Sequence, residues 1–166
     1  MKKIISIFLA LVCISFTGCF FRKYNGPSPL DTAKKVLECF DNDDVEGLKS
    51  LFCEDVLTNV DDLDEQIKEI FNLYEGKCIE RGTINSPSQT SYRDGEIVYY
   101  DTDPLINDSK TDENEGYYSI CIYIDLVNKK HPERVGVKAI TLYWYNEIDH
   151  VWEDVSKLKT IGKLYL

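Results

Sequence analysis

Residues 115–127 read EGYYSICIYIDLV, and the fold of the chain is predicted mainly from the pattern of this segment. Its side chains alternate in character, which is typical of a β-strand with one face in a core. The apolar face carries Tyr118, Ile120, Ile122, Ile124 and Leu126, and the other face carries Tyr117, Ser119, Cys121, Tyr123 and Asp125. We therefore predict a long strand whose apolar face is buried.

The segment that follows is predicted to return as a second strand. Residues 135–145 alternate in the same way, and residues 128–134 form the hairpin connection between the two. If the two strands pair through their apolar faces, the opposite face gathers a candidate pocket or interface, formed by Tyr117, Tyr123, Asp125, Tyr143 and Tyr145. A slip of one residue in the register would reverse this assignment.

Further strands are predicted on either side of this hairpin. Residues 77–84 and 95–101 are rich in β-branched and aromatic residues, and Arg93-Asp94-Gly95 predicts a tight hairpin turn. Residues 102–115 are interpreted as an acidic surface loop, and the tail from Val151 to Leu166 as one more strand.

The N-terminal third has helical periodicity instead. Ser28-Pro29 predicts a helix start, and apolar residues then recur at three and four positions as far as Phe40. A second short helix is predicted from Val45 to Phe52, and a third over residues 62–75, ending at Gly76. Helices followed by strands indicate an α+β domain, with the helices packed on one face of a curved antiparallel sheet.

Residues 32–52, TAKKVLECFDNDDVEGLKSLF, resemble the opening of the nuclear transport factor 2-like superfamily. In that superfamily a helix carrying alanine and leucine is followed by an acidic turn and a second helix that ends in Leu-Phe. The match is best with its small lipoproteins of unknown function. The resemblance implies a cone-shaped sheet around a pocket, often in a dimer, which different members use for catalysis or for binding alone.

The first residues resemble a bacterial lipoprotein signal. Lys2 and Lys3 precede an apolar run, Ile4 to Phe16, of 13 residues, shorter than the roughly 20 that a membrane-spanning helix needs. Phe16-Thr17-Gly18-Cys19 resembles a lipobox, although Phe16 replaces the usual leucine. We therefore expect residues 1–18 to be a signal peptide, residues 19–29 a lipidated N-terminus and tether with lipid on Cys19, and residues 30–166 a single α+β domain.

Composition narrows the classes of partner and cofactor. The formal net charge is −10, and −12 once the two signal lysines leave, which disfavours nucleic acid as a partner. Cys39, Cys53, Cys78 and Cys121 remain as disulfide candidates, and buried free thiols are favoured over disulfides. The acidic loop lacks the glycine of a calcium-binding EF-hand, and His131 and His150 have no second ligand at a suitable spacing, so we expect neither metal nor cofactor.

These observations predict an extracytoplasmic lipoprotein, anchored to the cell membrane, whose domain binds a small ligand or a protein without catalysis. One alternative is a pocket enzyme of the isomerase or hydrolase kind that uses Asp125 and the tyrosines; it requires Asp125 to be buried. The other is a homodimeric interaction module that associates through the tyrosine face.

Overall fold

A computed structural model describes residues 24–145 and 156–165 of the chain. The signal peptide, the lipobox, residues 19–23 of the tether and residues 151–155 of the predicted tail strand lie outside the described residues. Within the described ranges, no helix combines the length and apolar character needed to cross a membrane.

In the described part of the chain four helices precede the strands, one more than the three that the sequence predicted. They are α1 (Pro29–Asn42), α2 (Val45–Lys49), α3 (Glu54–Asn59) and α4 (Leu63–Leu73). Helix α1 begins where Ser28-Pro29 indicated, although the Ser28 side chain makes no capping bond, and it ends at Asp43 in the left-handed conformation. One face of each long helix is buried, through Val36, Leu37 and Phe40 in α1 and Ile67, Ile70 and Phe71 in α4.

The predicted second helix is interrupted before Phe52. The chain there runs beside a strand: the Cys53 backbone N–H donates to the Val137 carbonyl at 2.9 Å, and the Val137 N–H donates to Leu51 at 3.0 Å. These bonds satisfy backbone groups that would otherwise extend α2, so the helix stops and α3 starts afresh.

Over the described ranges, eight strands form one antiparallel sheet. They are β1 (Cys78–Glu80), β2 (Ile84–Asn85), β3 (Ser88–Arg93), β4 (Glu96–Thr102), β5 (Leu105–Thr111), β6 (Tyr117–Asn128), β7 (Gly136–Tyr145) and β8 (Ser156–Gly162). Strands β4 and β5 both pair with the same edge of β6, one after the other, and β3, β2 and β1 pair with them in turn. The sheet is therefore a meander of five rows, some of which contain more than one strand. In order across the sheet, the rows are β1 to β3, then β4 and β5, then β6, β7 and β8.

Two sequence interpretations in this region are wrong. The predicted acidic loop over residues 102–115 contains strand β5, in which Ile106, Ser109 and Thr111 are buried. The predicted strand 77–84 is divided between β1 and β2, and β3 was not predicted at all. Strand β3 is exposed at every residue, so no apolar alternation marks it.

The core lies between the helices and one face of the sheet, which we call the inner face. Tyr118, Ile120, Ile122, Ile140 and Leu142 are fully buried there. Helix α4 packs against β8, where the Gly162 N–H donates to the Gln66 side chain at 3.1 Å. The opposite, outer face of the sheet carries the polar residues that formed the candidate site.

Candidate functional site

The hairpin of β6 and β7 has the register that places the apolar residues together. Ile120 lies opposite Leu142 and Ile122 opposite Ile140 on the inner face. On the outer face, Tyr117 lies opposite Tyr145 and Ser119 opposite Tyr143, while Tyr123 lies opposite Ala139. The five predicted site residues thus share one face, but they are spread along its length.

Tyr117 and Tyr145 form a stacked pair at one end of this face, with ring centroids 6.0 Å apart. The Tyr145 hydroxyl lies 3.3 Å from the Ser119 hydroxyl and donates to the Asp108 carboxylate. Burial and that hydrogen bond raise the pKa of Tyr145 to about 12. These contacts tie β5, β6 and β7 together, so the pair has a structural role in the monomer.

Tyr143 and Tyr123 occupy the middle of the face, and both are half-buried. Burial, with a hydrogen bond to Cys121, raises the pKa of Tyr123.

The four cysteines of the described chain are free thiols. Burial raises the pKa of Cys39 to about 11 and also raises that of Cys121, so neither is a reactive thiolate at neutral pH.

Asp125 lies at the other end of the face and is only 2% exposed. Its Oδ1 atom is 2.5 Å from the Lys138 Nζ atom and 3.4 Å from the Tyr99 hydroxyl. Its Oδ2 atom accepts a hydrogen bond of 2.9 Å from the Asn128 amide. Both carboxylate oxygens are therefore engaged within the protein.

A β-bulge explains how Lys138 reaches Asp125. Tyr123 pairs with Ala139 but Ile124 pairs with Val137, so Lys138 is the extra residue of the bulge. Bulges redirect side chains in this way.

On the neighbouring strand, Asp101 pairs with Asp125. Burial raises the pKa of Asp103 and Lys138 opposes that shift, while Asp101 and Asp125 add to it.

Asp125, Tyr99 and Lys138 line a cleft of about 1030 Å³, at the upper end of the range for small-molecule sites. Of the five predicted residues, only Asp125 lines it. The cleft lies between the β3–β4 hairpin, whose turn residues Asp94 and Gly95 have positive φ, and the β6–β7 connection.

Hydrogen bonds fix the walls of the cleft. The Lys129 N–H donates to the Val98 carbonyl at 3.0 Å, and the His131 N–H donates to the Asn128 side chain at 2.9 Å. Residues Pro132–Arg134 then form a 3-10 turn that returns the chain to β7.

Arg134 and Tyr165 form another wall of the cleft, and Tyr165 comes from the C-terminal segment. The Arg134 guanidinium carbon lies 4.1 Å from the centroid of the Tyr165 ring, and the Tyr165 hydroxyl donates to Asp55. That hydrogen bond, with the nearby Lys163, lowers the pKa of Asp55. Within the described residues the Arg134 guanidinium is held by stacking and not by an ion pair, an arrangement that suits arginine for binding an anion.

The cleft is cationic although the chain is acidic. Five lysine and arginine side chains line it, against three carboxylates, so its formal charge is +2 in a chain of net charge −10. The cations are Arg93, Lys129, Lys130, Arg134 and Lys138, and His131 lies among them. Over residues 24–145 and 156–165, no group of three histidine, cysteine or carboxylate side chains is arranged to hold a metal ion.

Most of these residues were missed because the sequence reasoning followed strand alternation. One signal was present in the sequence: residues 129–138, KKHPERVGVK, carry four lysine and arginine side chains and one acid. Arg93 and Tyr165 had no local signal, because only the topology brings their distant segments to this cleft.

No curated protein matches the chain. One family model matches residues 35–148, a range that begins inside α1, contains β1 to β7 and includes every cleft residue named above except Tyr165. The chain therefore belongs to the DUF5104 family, described as a domain of unknown function.

Proposed function

We propose that this protein is an extracytoplasmic lipoprotein, anchored to the cell membrane by lipid on Cys19, whose domain binds a small ligand without catalysis. The anchor is supported by the basic start, the short apolar run and the lipobox-like Phe16-Thr17-Gly18-Cys19. Two acyl chains would hold the protein firmly, since each buried methylene contributes about 0.8 kcal/mol.

The start of the described chain suits a short tether. The Tyr24 ring packs edge-on against Tyr100, with centroids 5.1 Å apart. Only four residues lie between Cys19 and Tyr24, and the five residue-to-residue steps can span at most about 18 Å. The domain would therefore stay close to the bilayer.

The anchor is tested by substitution of two cysteines in the leader region. In the native host, grown with an alkyne fatty acid, Cys19→Ser should abolish both labelling and recovery in the membrane fraction. Cys13→Ser is the matched control, because it removes a cysteine of the expected signal peptide and should leave both unchanged. Labelling that survives Cys19→Ser would refute the anchor.

The observation that carries the binding function is the cleft with an engaged carboxylate at its base. A general base needs a free oxygen facing the substrate, whereas both Asp125 oxygens have partners inside the protein. None of the four tyrosines expected beside Asp125 lines the cleft: they are Tyr117, Tyr123, Tyr143 and Tyr145. The arrangement supports binding and gives the enzyme alternative only its first requirement, a buried Asp125.

The binding function is tested with a library of small molecules. A ligand that binds only the folded state at a hundred times its Kd stabilises it by about 2.7 kcal/mol, so it should raise the melting temperature. The molecule recovered after incubation should have its original mass and its original NMR spectrum, because an isomerised product would keep the mass and change the spectrum. Conversion that is lost in Asp125→Asn, in a variant shown to be folded, would establish the enzyme alternative instead.

We also propose that the domain has the nuclear transport factor 2-like architecture. Support comes from the helical opening over residues 32–52, followed by a meander of bent rows with the helices on its inner face. The homodimer alternative has less support, because Tyr145 uses its hydroxyl within the monomer and stacks on Tyr117.

A further inference from the structure

We infer that the cationic cleft is a binding site for a phosphate group, carried either by a soluble phosphoester or by a phospholipid headgroup. This inference rests on the proposed binding function and names the chemistry of its ligand. Three side chains at the cleft carry it: Arg93, Lys130 and Arg134.

None of these three cations forms an ion pair within the described residues, although Arg134 lies close enough to Asp55 to contribute to the lowered pKa of that carboxyl. Lys129 is paired with Glu96 at 2.6 Å and Lys138 with Asp125 at 2.5 Å. In contrast, no carboxylate of the described residues lies within ion-pair distance of Arg93, Lys130 or Arg134. The Arg134 Nε–H also has no hydrogen-bond acceptor in the described part of the chain.

The number of unpaired positive charges at the cleft fits a phosphate group better than a carboxylate group. A phosphate monoester carries about −1.5 to −2 charges and three acceptor oxygens at neutral pH, whereas a carboxylate carries one charge and two oxygens. Arginine forks bind phosphate oxygens in pairs, and a lysine adds a point charge. Two arginines and one lysine thus match one doubly charged group.

The rest of the surface restricts the size of the ligand. A long polyanion would need a basic surface beyond the cleft, but the chain as a whole has a net charge of −10. Asp94 and Glu96 also border the cleft on the hairpin side. We therefore assign the site to a single small phosphate group.

Both sources of phosphate are compatible with the position of the cleft. Tyr24, where the tether meets the fold, packs on Tyr100, and the adjacent Tyr99 lines the cleft. Tyr99 and Tyr100 are neighbours on β4 and lie on opposite faces of the strand, so the position of the tether does not favour either source.

The test uses the full-length lipidated protein in a neutral detergent, titrated calorimetrically with inorganic phosphate and with glycerol 1-phosphate. Arg93→Glu/Lys130→Glu should weaken binding at least tenfold, about the loss of one charge-assisted hydrogen bond. The control is Arg81→Glu/Lys68→Glu, two exposed cations that lie outside the cleft. It makes the same change in net charge and should leave the affinity within about twofold.

A second arm distinguishes the sources of phosphate. The same variants are compared for cosedimentation with vesicles that contain phosphatidic acid, whose phosphate is a monoester, and with vesicles of phosphatidylcholine alone, after the lipid anchor is removed by Cys19→Ser. Cleft-dependent binding to the vesicles assigns the headgroup, and cleft-dependent binding to glycerol 1-phosphate alone assigns a soluble phosphoester.

Two results would overturn the inference. One is wild-type protein that shows no saturable binding in either arm, and the other is an equal loss in the cleft and control variants. If a phosphate-free compound raises the melting temperature in a cleft-dependent manner, the phosphate assignment fails while the proposed binding function stands.

Discussion

The ion pair of Asp125 and Lys138 is buried at both ends, with side-chain exposures of 3% and 14%. Removing one member of such a pair leaves an uncompensated charge, which costs about 3 kcal/mol or more. We predict that Asp125→Asn lowers the free energy of unfolding by about that amount, measured by urea denaturation.

A matched pair of variants separates this effect from general charge loss. Glu113→Gln removes an exposed carboxylate and should have little effect. Adding Lys138→Met to Asp125→Asn should restore more than half of the lost stability. A double variant as unstable as the single one would show that the pair is not the source of the cost.

Asp103 provides a prediction of pH dependence. Its pKa is raised above the usual 3.8, chiefly by burial. In the unfolded chain the Asp103 carboxyl therefore loses its proton at a lower pH than in the folded protein. At a pH above the folded pKa, its ionisation lowers the stability of the folded state. Below pH 3.8 the carboxyl is protonated in both states, and it has no such effect. Asp103→Asn should raise the melting temperature at pH 7, and this gain should vanish as the pH falls to about 4.

The control for Asp103 is Asp61→Asn, which removes the same charge at an exposed position. Its effect on the melting temperature should be small at every pH between 4 and 8. Calorimetric scans across that range would contradict the account if Asp103→Asn destabilised the protein at pH 7, or if its gain did not depend on pH.

At the scale of elements, the sequence predicted those with strong periodicity. Helices α1 and α4 and strands β6 and β7 lie within a few residues of their predicted bounds, because each buries one apolar face. Strand β4 also lies close to its predicted bounds, although Thr102 is its only buried residue. Strand β5 was interpreted as a loop for a physical reason: its buried positions include Ser109 and Thr111, and Asp108 with positive φ breaks the alternation. Pairing with β6 on one side and with β1 and β2 on the other makes this polar segment a strand.

Amide hydrogen exchange distinguishes the observed strand from the predicted loop. In strand β5, Ile106 pairs with Ile120 and Ser109 with Tyr118, and both residues are fully buried. Their amides should exchange far more slowly than those of Glu113 and Glu115, which are exposed. Equally fast exchange across residues 105–113 would restore the loop interpretation.

The crossing of residues 51–53 over β7 depends on Gly136. Its φ is +130°, a conformation that other residues rarely adopt, and an added Cβ would lie 3.1 Å from the Cys53 backbone. Gly136→Ala should therefore cost about 1–3 kcal/mol of stability, measured by urea denaturation. Val135→Ala, at the adjacent exposed residue, should be nearly neutral; a cost as large as that of Gly136→Ala would contradict this account.

At the scale of the whole molecule, the site was only partly predictable. The sequence indicated Asp125, because strand alternation placed a lone acid among tyrosines. Asp125 contacts Tyr99 on β4 and Lys138 in a bulge of β7. Tyr165, near the C-terminus, lines the same cleft. Their convergence depends on strand order and on a shift of register, and neither is written in local periodicity.

Charge separation is the property of the whole molecule that the account depends on. An acidic surface repels other polyanions, and a local cationic cleft attracts a small anion to one place. Because the attraction is electrostatic and partly exposed, ligand binding at the cleft should weaken as ionic strength rises.

The most direct test of the membrane-anchored account is the intact mass of the protein extracted from its native host. We predict a polypeptide that lacks residues 1–18, begins at Cys19 and carries the added mass of at least two acyl chains. A chain that begins elsewhere, or that has an unmodified Cys19, would contradict the anchor and the membrane location argued from it.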